Sequence, residues 1–178
     1  MKIIGVDPGT IVTGFGIIEY NNKEVKFIDA GIIKTPAVKA LAPRIEKIYD
    51  ELNRLIKLHD PDEFAIETAF YGKNIQSTMK IGYARGVAML AAVHNKINIA
   101  EYSPREIKKS VVGKGAASKE QVQFMINKLL QLNKIKMKFD ETDALAVAVC
   151  HAFKSSSASH KSGSWEKFIK ANPDKVII

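Results

Sequence analysis

The chain has 178 residues, 46% of them apolar and 26% charged, enough for one domain with a sizeable core and an ordinary globular balance. Its formal charge of +8 points toward a polyanionic partner, and its apolar runs fall short of the roughly 18 residues a membrane span needs. The start lacks the apolar core and small-residue cleavage site of a signal peptide, and the one cysteine, Cys150, cannot close an internal disulfide, so a cytoplasmic location is expected.

The first predicted element is a buried strand, K-I-I-G-V-D, ending at Asp7. P-G-T follows as a turn, with Pro8 setting φ and Gly9 free to take positive φ. T-G-F-G-I-I-E-Y reads as a second strand, and E-V-K-F-I-D-A-G-I-I-K-T as a third, bent or bulged near Gly31. Three strands so close in sequence predict an antiparallel meander. After Pro43 the period changes: Ile45, Ile48, Tyr49, Leu52, Leu55 and Ile56 fall on one face of an amphipathic helix. Pro61 in H-D-P-D stops it. E-F-A-I-E-T is the fourth strand, a long helix spans about Ile75 to Asn95, and I-N-I-A-E-Y is the fifth strand. Ser103 with Pro104 starts another helix, Ser118 caps the next, and E-T-D-A-L-A-V-A-V-C-H-A-F is the last clear one. The order predicts an α/β fold, a five-stranded mixed sheet flanked by α-helices. Residues 1–154 form the folded unit. Residues 155–178, opening on S-S-S-A-S-H-K-S-G-S, have linker composition and carry no assigned role.

The acids sit at element ends. Asp7 closes the first strand, Glu67 stands near the end of the fourth, and Asp140 and Asp143 open the Ala-rich last helix, three apart and so on one face. Each has an ordinary explanation: a Pro-Gly turn for Asp7, a solvated strand end for Glu67, an N-cap for Asp140, the helix dipole for Asp143. If strands one and four are neighbours, however, all four gather at one end of the sheet. Such a cluster is tolerable only with cations. Hard oxygen ligands on rigid elements suit Mg²⁺, and a pair of such ions suits phosphodiester cleavage. Nearly all of the excess positive charge lies elsewhere. From Arg105 to Lys138 nine basic residues face only Glu106 and Glu120, the footprint of a phosphate-backbone contact.

Five stretches in this order resemble the RuvC family of bacterial Holliday junction resolvases: G-V-D-P-G-T-x-x-T-G-F-G, A-I-E-T-A-F-Y-G-K-N-x-x-S, G-Y-A-R-G, G-K-G-A-A-S-K-E-Q-V and D-E-T-D-A-L-A-V-A-V-C-H. The resemblance covers about residues 1–154. It implies a ribonuclease H-like fold and a homodimer that nicks opposed strands of a four-way DNA junction symmetrically, leaving 5′-phosphate and 3′-hydroxyl ends, in recombination and repair. It also implies cooperation with the RuvA–RuvB branch-migration complex. Asp7, Glu67, Asp140 and Asp143 match the family's metal-binding catalytic acids, which implies two Mg²⁺ per site, with Mn²⁺ able to substitute. Phe70 matches the aromatic near the junction centre, where it could stack on an unpaired base. Lys108 and Lys119 match basic positions near the active site. Lys109 and Lys114 belong to the same basic stretch, and Arg85 matches the family motif with DNA contact and a structural role both open. Gly82 and Gly86, four apart on the long helix, permit close helix approach. The resemblance assigns them to the dimer interface, with packing on the chain's own sheet as the alternative. Ser118 departs from the family pattern, which commonly has an acid there.

Three other functions compete at this level. An actin-like kinase or ATPase also opens with a D-x-G-T loop, but needs two such domains. A junction-binding protein that does not cut shares the fold but is expected to lack one or more of the acids. A purely structural interaction protein leaves the acids unexplained.

Overall fold

The computed structural model describes residues 1–68, 75–132 and 137–171, with side chains described as far as residue 155 apart from those of residues 75 and 77. Five strands, β1 (Lys2–Asp7), β2 (Val12–Asn21), β3 (Glu24–Lys34), β4 (Glu63–Glu67) and β5 (Asn98–Tyr102), form one sheet in the order β3-β2-β1-β4-β5. The first three make the expected antiparallel meander. β4 runs parallel to β1, and β5 parallel to β4, so each needs a crossover, and helices supply it. The helices are α1 (Ala42–His59), α2 (Ile75–His94), α3 (Pro104–Val112), α4 (Lys119–Leu129) and α5 (Phe139–Ala171).

Local chemistry explains the boundaries. The apolar spacing of α1 buries Ile48, Leu52, Leu55 and Ile56. The helix closes at Asp60, whose φ of 47° lets its N–H reach the carbonyl of Ile56 before Pro61. Ser103 with Glu106, and Ser118 with Gln121, form reciprocal capping boxes at α3 and α4. Strand alternation divides the core in two. Ile4, Val6, Phe64 and Ile66 pack with α1 and α2, while Ile3 and Ala65 pack with residues of α3, α4 and α5.

Glycines bring α5 down onto the sheet. A Cβ on Gly5 would run into the backbone of Ala144 and stand 2.6 Å from the Ala148 nitrogen. One on Gly14 would meet the Asp140 carbonyl, and one on Gly16 the Leu145 side chain at 2.7 Å. Only side-chain-free positions on β1 and β2 allow this approach.

Three sequence expectations need correction. The β2–β3 register pairs Ile17 with Asp29 and Ile18 with Phe27, so the bulge falls at Ile28, not near Gly31. Gly31 lies opposite Phe15, and a Cβ there would sit 2.8 Å from that ring; the glycine makes room for an aromatic instead of bending the strand. Asp140 is not an N-cap. α5 already begins at Phe139, and the Lys138 N–H is taken by Glu141 Oε2 at 2.6 Å. Finally, the α5 backbone continues through the Ser-rich segment to Ala171, where composition reads as linker. A helix anchored by a long buried turn series needs no new nucleus to propagate.

Candidate active site

Sheet register and alternation bring the acids together. Val6 pairs with Ile66 in the parallel β1–β4 ladder, so Asp7 and Glu67 follow at the same end of neighbouring strands. Asp7 alternates with Val6, and Glu67 with Ile66. Both therefore turn away from α1 and α2 toward the face that α5 covers. On that face Ala144 and Ala148 of α5 rest on Gly5, which holds Asp143 beside the strand ends. Glu141 is occupied by the cap at Lys138, leaving Asp140 and Asp143 free of capping duty.

Asp7, Glu67 and Asp143 line one pocket of about 230 Å³ with Lys108 and Lys119. Its remaining wall is Pro104, Ile107, Val122 and Ala146, an apolar surface that strengthens charge interactions within. Asp140 stands outside the lining, one turn back, but its charge acts on both Asp7 and Lys119.

Burial drives the electrostatics. Asp7 is pushed up to about 6, first by desolvation and then by Asp143, with Lys119 opposing and Asp140 adding to the rise, while a hydrogen bond with Glu67 pulls it down. Glu67 is pushed up to about 8, again chiefly by desolvation, then by Asp7 and Asp143, against Lys119 and Lys108. Two buried carboxyls in contact share a proton because both cannot ionise without a cation. Lys119 supplies positive charge: its Nζ donates to Asp143 Oδ2 at 2.7 Å, and this pair raises its own affinity for the proton. Among the described residues no group of three or more His, Cys, Asp or Glu side chains is already drawn in tightly enough to hold an ion. The donor set nevertheless fits a hard divalent cation. It consists of carboxylate oxygens on rigid elements, and burial destabilises the charged form of Asp7 and Glu67.

The other candidates separate by location. Lys108 lines this pocket and also an adjoining groove with Lys114. That groove contains Arg105 too, a contributor that sequence reading counted in the basic stretch without singling it out. Lys109 is exposed on α3 and borders neither cavity. Arg85 is committed to an ion pair with Glu101 of β5, which joins α2 to the sheet edge. Phe70, Lys134 and Lys136 lie outside the described residues. Gly82 and Gly86 do not pack on the sheet: an added Cβ on either would meet nothing within 4 Å. The sheet-facing side of α2 is made by Ala84, Ala88, Ala91 and Ala92, while Met79, Tyr83, Leu90 and Val93 are exposed. At 79, 83, 86, 90 and 93 these outward residues follow one helical stripe. No helix among the described residues is long and apolar enough to cross a membrane.

Known proteins resemble this chain in sequence and fold. Residues 3–151 match the family model described as crossover junction endodeoxyribonuclease RuvC. The Cytophaga hutchinsonii RuvC is 45% identical over 98% of this chain and 87% of its own. The Acinetobacter baylyi RuvC is 48% identical over 96% of this chain and 89% of its own. Among solved structures, Thermus thermophilus RuvC in complex with a Holliday junction substrate superposes with a TM-score of 0.81 at 26% identity, covering 87% of this chain and 94% of that one. The yeast mitochondrial Holliday junction resolvase shares the fold, with a TM-score of 0.69 at 14% identity over 93% of this chain and 85% of its own. With a family match over residues 3–151 and near full-length similarity on both sides, this chain belongs to the RuvC family of crossover junction endodeoxyribonucleases.

Proposed function

We propose that the pocket of Asp7, Glu67 and Asp143, with Asp140 beside it, is the nuclease centre at which this chain resolves Holliday junctions. The observation that carries the reading is the convergence of three half-buried acids from β1, β4 and α5 on one pocket bordered by lysines. The RuvC resolvases are metal-dependent nucleases that bind junction DNA. In our reading the four acids would hold two Mg²⁺, with Mn²⁺ able to substitute, and the ions would supply Lewis-acid charge stabilisation for phosphodiester hydrolysis. The chain's own residues do the rest. The strand ends and α5 fix the carboxylates before substrate arrives, so little reorganisation is needed. Lys108 and Lys119 hold phosphate oxygens of the cleaved strand, and Arg105 and Lys114 extend that grip along the adjoining groove. Lys109 adds charge outside it. Phe70 stacks on an unpaired base near the junction centre. Arg85 serves structure through Glu101.

Paired nicks in opposed strands require two centres. The outward stripe of α2, with Gly82 and Gly86 open for close approach, is the surface we assign to a homodimer. We take residues 1–154 as the nuclease domain, and family membership supports a cooperation with RuvA–RuvB.

The test is cleavage of a mobile four-way junction with Mg²⁺. The wild-type chain is expected to give paired symmetric nicks with 5′-phosphate ends. Asp7→Asn is expected to bind the junction and leave it intact, and Phe70→Ala to cut it more slowly. Preference for plain duplex, or full activity in Asp7→Asn, overturns the assignment.

A further inference from the structure

The Lys119 ammonium stands 2.7 Å from Asp143 Oδ2 inside the acid pocket. Asp143 is nearly enclosed, its side chain 16% exposed, whereas that of Lys119 is 60% exposed. The lysine is carried on the first turn of α4, behind the Ser118–Gln121 capping box, so its base is fixed and its tip alone can move. Its charge also acts on Asp7 and Glu67. A cation coordinated by Asp143 needs the same carboxylate oxygens and is repelled by the same ammonium.

We propose that Lys119 is the resident counter-ion of the metal-free pocket, and that it must leave Asp143 before a divalent cation can load. The exposed side chain can swing out without disturbing the core. The acids are thereby kept tolerable while the site is empty, and metal binding in the absence of DNA is held weak. The displaced ammonium is then free to take a phosphate of an entering strand. This inference rests on the assignment of the acids as the metal site.

The test measures Mn²⁺ binding by calorimetry, with the full chain and no DNA. Lys119→Met, which keeps length and removes charge, is expected to bind Mn²⁺ about tenfold more tightly than wild type. It is also expected to melt at lower temperature when metal-free and to recover more on adding Mn²⁺. Lys119→Arg, which keeps the charge, is expected to bind close to wild type. Unchanged or weaker Mn²⁺ affinity in Lys119→Met overturns the counter-ion role. Asp7→Asn separates the two levels. Loss of Mn²⁺ binding there, with no tightening in Lys119→Met, sinks only the counter-ion. Undiminished binding in Asp7→Asn sinks the metal assignment and the counter-ion with it.

Discussion

Glu67 and Asp7 hold their protons more tightly in the fold than in an unfolded chain. Burial and neighbouring acids lift Glu67 from 4.5 to about 8, and Asp7 from 3.8 to about 6. A carboxyl with a raised affinity stabilises the fold fully below its ordinary value, and that contribution is lost as pH climbs through the raised one. The metal-free protein is therefore expected to melt at progressively lower temperature between about pH 4 and about pH 8. Glu67→Gln is expected to remove most of that slope, and an unchanged slope in a thermal melt counts against Glu67 as its source. A saturating divalent cation should also flatten it, because cations displace the proton and then supply the missing charge. The acids were legible in the sequence because Asp7 and Glu67 end apolar runs and Asp140 and Asp143 open an Ala-rich one. Which of them line the pocket was not. Asp140 and Asp143 share a helical face, yet Asp143 alone of the two reaches the pocket wall, a difference set by how α5 lies on the sheet and not by the helical spacing.

The glycines of β1 and β2 set how deeply α5 sits. With Gly5 against the Ala144–Ala148 backbone, any side chain must push the helix outward, and Asp143 moves with it. Gly5→Ala is expected to cost at least about 1–3 kcal/mol in urea unfolding, the usual penalty for overpacking, and to slow junction cleavage more than junction binding. Full cleavage by a destabilised but folded Gly5→Ala protein would show that helix depth does not set the site. The sequence displays these glycines, but not their purpose. Gly31 reads like Gly5, yet it makes room for Phe15 on a neighbouring strand. Only the sheet register separates the two roles.

Across the molecule, α2 presents one face of alanines to the sheet and a stripe of Met79, Tyr83, Leu90 and Val93 outward. Four large apolar side chains on one exposed helix face are more than scattered surface residues. Leu90→Glu is expected to convert a dimer to a folded monomer in sedimentation, and paired nicks to uncoupled single ones. A wild-type mass equal to one chain at micromolar concentration removes the interface. The same helix is tied to the sheet edge by Arg85 and Glu101, a role that its place in G-Y-A-R-G does not reveal, because the partner is sixteen residues away on β5.

The sequence by itself determined the elements: five strands from alternating or buried apolar runs, an amphipathic α1 from its period, and caps at Ser103 and Ser118. These depend on neighbours within a turn or along one strand, so short-range pattern suffices. It also placed Asp7 and Glu67 at strand ends. The tertiary structure decided which side chains meet. The Lys119–Asp143 pair spans 24 residues, the bulge at Ile28 arises from pairing with β2, and the outward face of α2 is known only once its alanines are seen against the sheet. Such meetings depend on how elements pack, and packing is settled by the summed fit of the core, not by any local run of residues.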